Sequence, residues 1–347
     1  MLTPLSWIYG SAVQARLRWY GAGWGHVHHL GRPVISVGNL TVGGTGKTPL
    51  VIAIGEALLK RGVGVAVLSR GYGGRGERAG ALVSDGRGTT FAWEESGDEP
   101  ALMARRLPGA AVIVGANRVA AWRRFGDALR PGVVILDDGF QHLAIARDEN
   151  VLLWDATDPI DRAALLPRGR LREPLAALSR ATAVVITRVD QADPGAVAAV
   201  EREVRDQAGT LPVFRARFEP QSLVEVATGR EQSPERLDGA RVLAAAGVGR
   251  FDSFTHLVTR ANARVVEAVR FSDHHPYLRS DLERLVARAR DIGADMILTT
   301  EKDAVKLEQW ATPQQGVWAV RIHAVIEPTG PWEAMLDRLA ARVGRPA

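Results

Sequence analysis

Residues 34 to 48 read Val34-Ile35-Ser36-Val37-Gly38-Asn39-Leu40-Thr41-Val42-Gly43-Gly44-Thr45-Gly46-Lys47-Thr48, and no other stretch restricts the fold as tightly. A β-branched run stops at glycines and resumes as a Leu/Ile/Ala-rich stretch, which predicts a strand over Pro33–Val37, a loop, and a helix over Thr48–Arg61. Amides of a glycine-rich turn, together with the unpaired N–H groups that begin a helix, form a concavity for anionic oxygens. A lysine at the end of such a loop reaches the β- and γ-phosphates of a nucleotide, and the following hydroxyl binds Mg²⁺. The expected phosphate loop is therefore Thr41, Val42, Gly43, Gly44, Thr45, Gly46, Lys47 and Thr48, with ATP and Mg²⁺ as cofactors. The usual spacing places a glycine where this chain has Thr41; Gly43 and Gly44 supply the freedom instead.

A second signal lies in Val133-Val134-Ile135-Leu136-Asp137-Asp138-Gly139-Phe140-Gln141-His142. Four apolar residues ending in aspartate put a carboxylate at the carboxyl edge of a sheet, where ligands of such folds bind. Asp137 is expected to hold Mg²⁺, and Asp138 to share the metal or orient the nucleophile. Taken alone, the run also reads as a strand closed by an Asp-Gly turn; beside a phosphate loop the functional reading is favoured.

Short β-branched runs alternate with helical stretches along the rest of the chain, predicting an α/β fold: a mostly parallel sheet flanked by helices, of the P-loop kinase type. Further strands are expected at Val63–Leu68, Ala111–Val114, Val151–Trp154, Ala183–Thr187 and Leu211–Arg215. A second, smaller α/β unit is expected from strands at Arg241–Ala246, Arg264–Arg270, Met296–Thr299 and Val317–Arg321, with helices at Phe251–Asn262 and Ser280–Ile292. The organisation expected is an N-terminal amphipathic segment (1–30), a nucleotide-binding unit (31–216), linker segments (217–227 and 321–328), a second α/β unit (228–320) and a C-terminal helix (330–345). At 347 residues two units are the default, because single cores stop growing near this size.

Composition narrows the function classes. There are no cysteines, which excludes disulfide frameworks and thiolate-held zinc or iron–sulfur clusters. The net charge is +5, and of 44 basic residues only Lys47, Lys60, Lys302 and Lys306 are lysines. Anionic partners fit this balance, although an arginine-rich surface also follows from genomic base composition. Where arginine is the default cation, a lysine inside a motif marks a place that needs a compact ammonium. No aromatic-basic nucleic-acid motif is present, so no nucleic-acid partner is expected. No secretory signal opens the chain and no window is apolar enough to span a bilayer. The first acidic residue is Glu56, while a helix expected over Leu5–Tyr20 carries Trp7, Tyr9, Arg16, Arg18, Trp19 and Tyr20. Such a helix either lies on an anionic bilayer or packs its aromatics on its own domain.

Weaker signals follow. Ser69-Arg70-Gly71-Tyr72-Gly73-Gly74 ends a strand and offers a cation to the site. Gly97-Asp98-Glu99-Pro100 reads either as carboxylates in a loop or as a helix cap at Asp98. Arg172-Glu173-Pro174 is similar, and Ser272-Asp273-His274-His275 is a polar cluster in which a histidine can support a base. Thr187-Arg188-Val189-Asp190 has the Asp of a guanine-reading loop without its Asn-Lys partners, and reads as a plain loop. Thr299-Thr300-Glu301-Lys302-Asp303-Ala304-Val305-Lys306 places two of the four lysines at one strand-to-helix junction.

These blocks, in this order, resemble the tetraacyldisaccharide 4′-kinase (lipid A 4′-kinase) family. The resemblance runs from Gly38–Pro49 through Ser69–Gly73, Gly97–Pro100, Asp137–His142, Leu171–Pro174 and Phe271–His274 to Thr300–Lys306, and Thr41 is the family's own form of the loop. It implies transfer of the ATP γ-phosphoryl group to the 4′-hydroxyl of a tetraacylated disaccharide 1-phosphate. It also implies a peripheral enzyme on the cytoplasmic face of the inner membrane, attached in part by its N-terminal helix, with no obligate protein partner inferred. Two α/β units joined by a two-stranded linker, Phe218–Ala227 against Arg321–Glu327, are implied as well. Asp98 and His274 fall where the family has its base and supporting histidine. Lys47 and Asp138 complete the expected catalytic set; Asn39, Arg70 and Arg172 are expected to contact substrate, and Thr48, Asp137, Asp138 and Glu173 the metal. Spacing alone does not divide base and metal roles among Asp98, Asp137 and Asp138. The chain departs from the family at Gly247-Val248-Gly249-Arg250-Phe251, a shorter turn than is common there. The rival reading is a P-loop GTPase or metallochaperone-type switch, which predicts a preference for guanine.

Overall fold

The computed structural model describes residues 2–88, 92–158 and 164–344. Among them, thirteen strands form one mostly parallel sheet with helices on both faces. In chain order these are β1 (Val34–Asn39), β2 (Val65–Ser69), β3 (Ala81–Asp85), β4 (Ala111–Val114), β5 (Val133–Asp137), β6 (Glu149–Asp155), β7 (Ala183–Thr187), β8 (Val213–Glu225), β9 (Glu231–Gln232), β10 (Arg241–Ala246), β11 (Arg264–Arg270), β12 (Met296–Thr300) and β13 (Val317–Glu327). They lie side by side as β11-β10-β12-β13-β8-β7-β6-β1-β5-β2-β4-β3, with β9 added against β8. Strands β1, β2, β5 and β7 are buried along their whole length, which is why they read as continuous apolar runs rather than alternating ones.

At the centre of the sheet, Phe218–Ala227 was expected to pair with Arg321–Glu327, and β8 and β13 pair antiparallel over those segments. What was not expected is that the run Leu211–Arg215 is continuous with it in the single strand β8, matched by an equally continuous β13. In this pair Phe218 faces Ala324 and Arg217 faces Val325, and the register shifts at Arg321/Ile322, opposite Pro220. Proline cannot donate to the ladder, so the bulge falls there. The edge strand β3, antiparallel to β4, was not foreseen: five residues between Gly80 and Gly86 carry little periodic signal.

The helix after the glycine loop spans Lys47–Lys60 and buries Leu50, Val51, Ile52, Ile54 and Leu58. These residues share a cluster with Ile35, Val37 and Ile135 of the sheet, which fixes the start of the helix above the ends of β1 and β5. Helix Asp98–Arg106 packs against helix Glu301–Leu307, so an element from early in the chain is docked on one from late in it. The N-terminal helix spans Leu2–Gly21 and the C-terminal helix Thr329–Ala340, shorter than expected.

Candidate active site

Parallel strands β1, β5 and β2 are neighbours, with Val37 level with Asp137, and their carboxyl ends open into a cleft of about 800 Å³. Its walls include Val42 to Thr48, Arg70, Asp98, Arg118, Asp137, Asp138, Arg172, His274 and Lys302. The two strongest sequence signals therefore meet because adjacent strands deliver them.

The loop enters the helix through Gly46, whose φ is 89°; a Cβ there would stand 2.4 Å from the Phe218 ring. Gly43 has φ 109°, and a Cβ would meet the Arg170 guanidinium at 2.4 Å. Both positions therefore require glycine. Lys47 Nζ lies 3.1 Å from Asn39 Oδ1 and 3.4 Å from Asp138. Arg172 Nη1 donates to both Asp138 oxygens, at 2.8 and 3.0 Å. Burial opposes ionisation of Asp138, but Lys47 and Arg172 override it and bring its carboxyl down to about 2.

Asp137 is different. Ser69 donates a 2.7 Å hydrogen bond to Oδ2, while Oδ1 is buried with no partner. Burial, followed by the negative charges of Glu99 and Asp138, pushes its carboxyl up to about 6, against the Ser69 bond and Lys47. A buried, unpaired carboxylate oxygen next to a second carboxylate, in a cleft that Thr48 also lines, suits a hard divalent cation. Mg²⁺ is typically held by one or two carboxylates together with substrate phosphates, and Asp137 and Asp138 put two carboxylates on the cleft wall.

Across the cleft, Asp98 begins helix Asp98–Arg106 and is 5% exposed. His274 Nδ1 lies 3.0 Å from its Oδ1, and Lys306 Nζ lies 3.2 Å from its Oδ2. Burial disfavours the Asp98 carboxylate, but the His274 hydrogen bond and the Lys302 and Lys306 ammonium groups more than offset it, so the carboxyl stays well below the usual range. Lys302 contacts Asp273 at 3.1 Å and Glu99 at 3.5 Å, and lies 3.3 Å from His274 Nε2. His274 is in the left-handed region at φ 58°, as is Asp138 of the cleft at φ 48°.

Three of the expected site residues stand back from the cleft wall. Asn39, expected to contact substrate, is fully buried behind the loop, donating to Thr41 O at 2.6 Å and accepting from Lys47. Glu173 was expected at the metal; it is 2% exposed and its carboxylate is engaged by Arg180, away from the cleft wall. Thr41 was counted in the phosphate cradle; it bridges to Leu171, and the cleft wall starts at Val42. Arg70 and Arg172 line the cleft, Arg70 paired with Glu77 at 2.6 Å.

Several residues at the site were not expected there, and of these Arg118 lies outside every segment that the sequence singled out. Arg118 is 7% exposed and reaches toward the main chain of Asp137. His142 lines the cleft; burial, then the Arg118 and Arg147 cations, bring its imidazole down to about 4, so it is neutral, with Nε2 unpartnered. Tyr9 and Arg16 of the N-terminal helix also reach the cleft, Tyr9 Oη donating to Arg172 O at 2.8 Å. On the same helix Trp7 is 73% exposed and Ile8 68%. No helix among the described residues is long and apolar enough to cross a membrane. Asp190, the remnant of a guanine-reading loop, pairs with Arg260 at 2.7 Å and is absent from the cleft wall.

The family description for tetraacyldisaccharide-1-P 4′-kinase (LpxK) matches residues 1–340. This chain belongs to that family. A Geobacter metallireducens protein named tetraacyldisaccharide 4′-kinase is 42% identical over 340 residues, 98% of this chain and 97% of its own length. A Geobacter sulfurreducens relative of the same name is 40% identical, covering 96% and 91%. The crystal structure of LpxK from Aquifex aeolicus in complex with ATP aligns with a TM-score of 0.76 at 30% identity, over 97% of both chains. As a member of the 4′-kinase family the chain is a phosphotransferase acting on an alcohol, and the GTPase or metallochaperone reading is set aside.

Proposed function

We propose that this 4′-kinase moves the γ-phosphoryl group of ATP to the 4′-hydroxyl of a tetraacylated disaccharide 1-phosphate, with the donor on the Val42–Thr48 loop and the acceptor beside Asp98. The observation that carries this reading is that Lys47 and the Asp137–Asp138 pair line the same cleft as the Asp98–His274 pair. Loop amides and Lys47 hold the triphosphate, and Lys47 and Arg172 exchange part of their contact with Asp138 for phosphate oxygens. Thr48, Asp137 and Asp138 would hold Mg²⁺, which when bound neutralises charge across the β- and γ-phosphates.

The acceptor oxygen attacks phosphorus in line, the bond from the γ-phosphorus to the β–γ bridging oxygen breaks, ADP leaves, and the hydroxyl proton passes to Asp98. A carboxylate held so far below its usual range is a weak base. It orients the hydroxyl and takes the proton late, which suits a loose transition state with little bonding to the nucleophile. His274 supports Asp98 through its Nδ1 contact, while Arg70 and Arg172 face the acceptor. Lipid substrate and membrane surface fit one orientation: Trp7 and Ile8 point outward from the helix whose Tyr9 and Arg16 line the cleft. On this reading the enzyme sits peripherally on the cytoplasmic face of the inner membrane, and the long β8–β13 pair is the linker between two α/β units. Incubation with γ-labelled ATP and the disaccharide 1-phosphate lipid tests the reading; label that never reaches the lipid would overturn it.

A further inference from the structure

Lys306 is 1% exposed, and lysines are almost never buried so completely unless paired. Its ammonium lies 3.2 Å from Asp98 Oδ2, 3.1 Å from Asp303 Oδ1 and 5.4 Å from the centre of the Tyr277 ring. It is absent from the cleft wall, whereas Lys302, four residues earlier, is part of it. Asp98 thus has two cations with different positions: Lys302 in the cleft, and Lys306 behind the carboxylate.

We propose that Lys306 is a positioning residue of phosphoryl transfer, its buried ammonium keeping the Asp98 carboxylate charged and aimed at the acceptor hydroxyl. The inference rests on the reading of Asp98 as the base.

A purely structural pair is the competing account, and three observations count against it. Helix Asp98–Arg106 is already fastened to helix Glu301–Leu307 at its far end, by Arg106 to Glu301 at 2.7 Å and Arg105 to Glu308 at 2.7 Å. A further buried ion pair adds little stability over apolar packing, because desolvation offsets its attraction. The residue is lysine in a chain with 44 basic residues of which nearly all are arginine. A compact ammonium can sit between two carboxylates and an aromatic face where a planar guanidinium needs more room.

The groups facing Asp98 decide the sign of the effect. From the second half of the chain come His274, Lys302 and Lys306; Glu99 is its neighbour on its own helix; Asp303 and Asp273 stand one contact further off, against Lys306 and Lys302. Burial raises the Asp98 carboxyl and the cations lower it. Tyr277 stays a neutral phenol, its ionisation suppressed by burial and then by Asp303. Without Lys306, burial acts on Asp98 with one cation fewer, so its carboxyl moves upward.

The test compares wild type, Lys306→Met, the double variant Lys306→Met/Asp303→Asn and Asp98→Asn. Each is assayed with labelled ATP and micellar disaccharide 1-phosphate lipid from acidic to alkaline pH. The double variant keeps the buried site neutral should Lys306→Met alone fail to fold. The expected result for Lys306→Met is a kcat about 10- to 100-fold lower near neutral pH, within the range that general-base catalysis supplies. The loss near neutral pH reports the misaimed carboxylate; the acid limb of the kcat profile should in addition move up by about one pH unit or more, so that the loss deepens toward acid pH, and the KM for ATP should stay unchanged. An even loss at every pH, or a profile superimposable on wild type while Asp98→Asn is inactive, overturns the role of Lys306 and leaves Asp98 as the base. Near-normal kcat in Asp98→Asn removes the base reading and this inference with it. Failure of both Lys306 variants to fold would mark the residue as a structural ion pair and also overturn the proposal.

Discussion

Ser69 at the end of β2 donates a 2.7 Å hydrogen bond to one carboxylate oxygen of Asp137 at the end of β5, and the other oxygen is buried without a partner. Two adjacent parallel strands thereby hold a carboxylate in a fixed direction with one face free. Its carboxyl is pushed up to about 6, by burial first and by Glu99 and Asp138 next.

A proton should therefore be displaced when Mg²⁺ and nucleotide bind, since the metal requires the carboxylate. Calorimetry at pH near 6 in two buffers of different ionisation enthalpy should show release of a fraction of a proton. The release should fade toward pH 8 and disappear in Asp137→Asn; identical heats in both buffers would contradict the assignment.

Stability without ligands follows the same sign. A carboxyl raised in the folded state favours folding when protonated, so stability is lost as pH rises from the unfolded value toward and through about 6. Asp137→Asn removes that cost. Its melting temperature at pH 8 should exceed that of the wild type by roughly 2–5 °C, and the gap should close near pH 4. Transfer activity of the same variant should collapse.

Lys47→Ala should lower kcat/KM by about 10²- to 10³-fold or more, since it removes a fixed charge aimed at the transferring group. Asp98→Asn should lower kcat about 10²- to 10⁴-fold with little change in the KM for ATP. Labelled-phosphate transfer measures both; near-normal turnover by the lysine variant would end the case for the loop.

His274 has its ring pKa raised, chiefly by the Asp98 hydrogen bond, against burial and Lys302. Its contribution to stability is fully present below the unfolded pKa of about 6.5 and lost as pH rises through the folded value. NMR titration of the ring should give a midpoint above 6.5 in wild type and a lower one in Asp98→Asn, where burial and Lys302 remain. An unchanged midpoint would show that the two side chains are not coupled in solution.

The outward face of helix Leu2–Gly21 makes a separate prediction. Trp7→Asp with Ile8→Asp should weaken co-sedimentation with phosphatidylglycerol vesicles by about tenfold or more, because buried apolar area drives interfacial binding. Transfer to a water-soluble, short-chain acceptor should be spared. Unaltered vesicle binding would place the membrane contact elsewhere.

The chemistry of the donor side was legible in the chain itself. Strand, glycine loop, Lys47, Thr48 and helix are consecutive, and the apolar run ending at Asp137 carries its own meaning, because phosphate nests and strand ends are local constructions. The resemblance added Asp98 and His274 as a pair, 176 positions apart in the chain. Only the tertiary structure decided which side chains share one space. It sealed Asn39 behind the loop, turned Glu173 to Arg180, and brought Arg118 and Ser69 to Asp137. It also placed Lys306 behind Asp98. Periodicity encodes a residue's own backbone and burial, whereas burial of a charge is tolerable only beside its partner. That partner is chosen by the packing of helix Asp98–Arg106 on helix Glu301–Leu307, which no local pattern in the chain records.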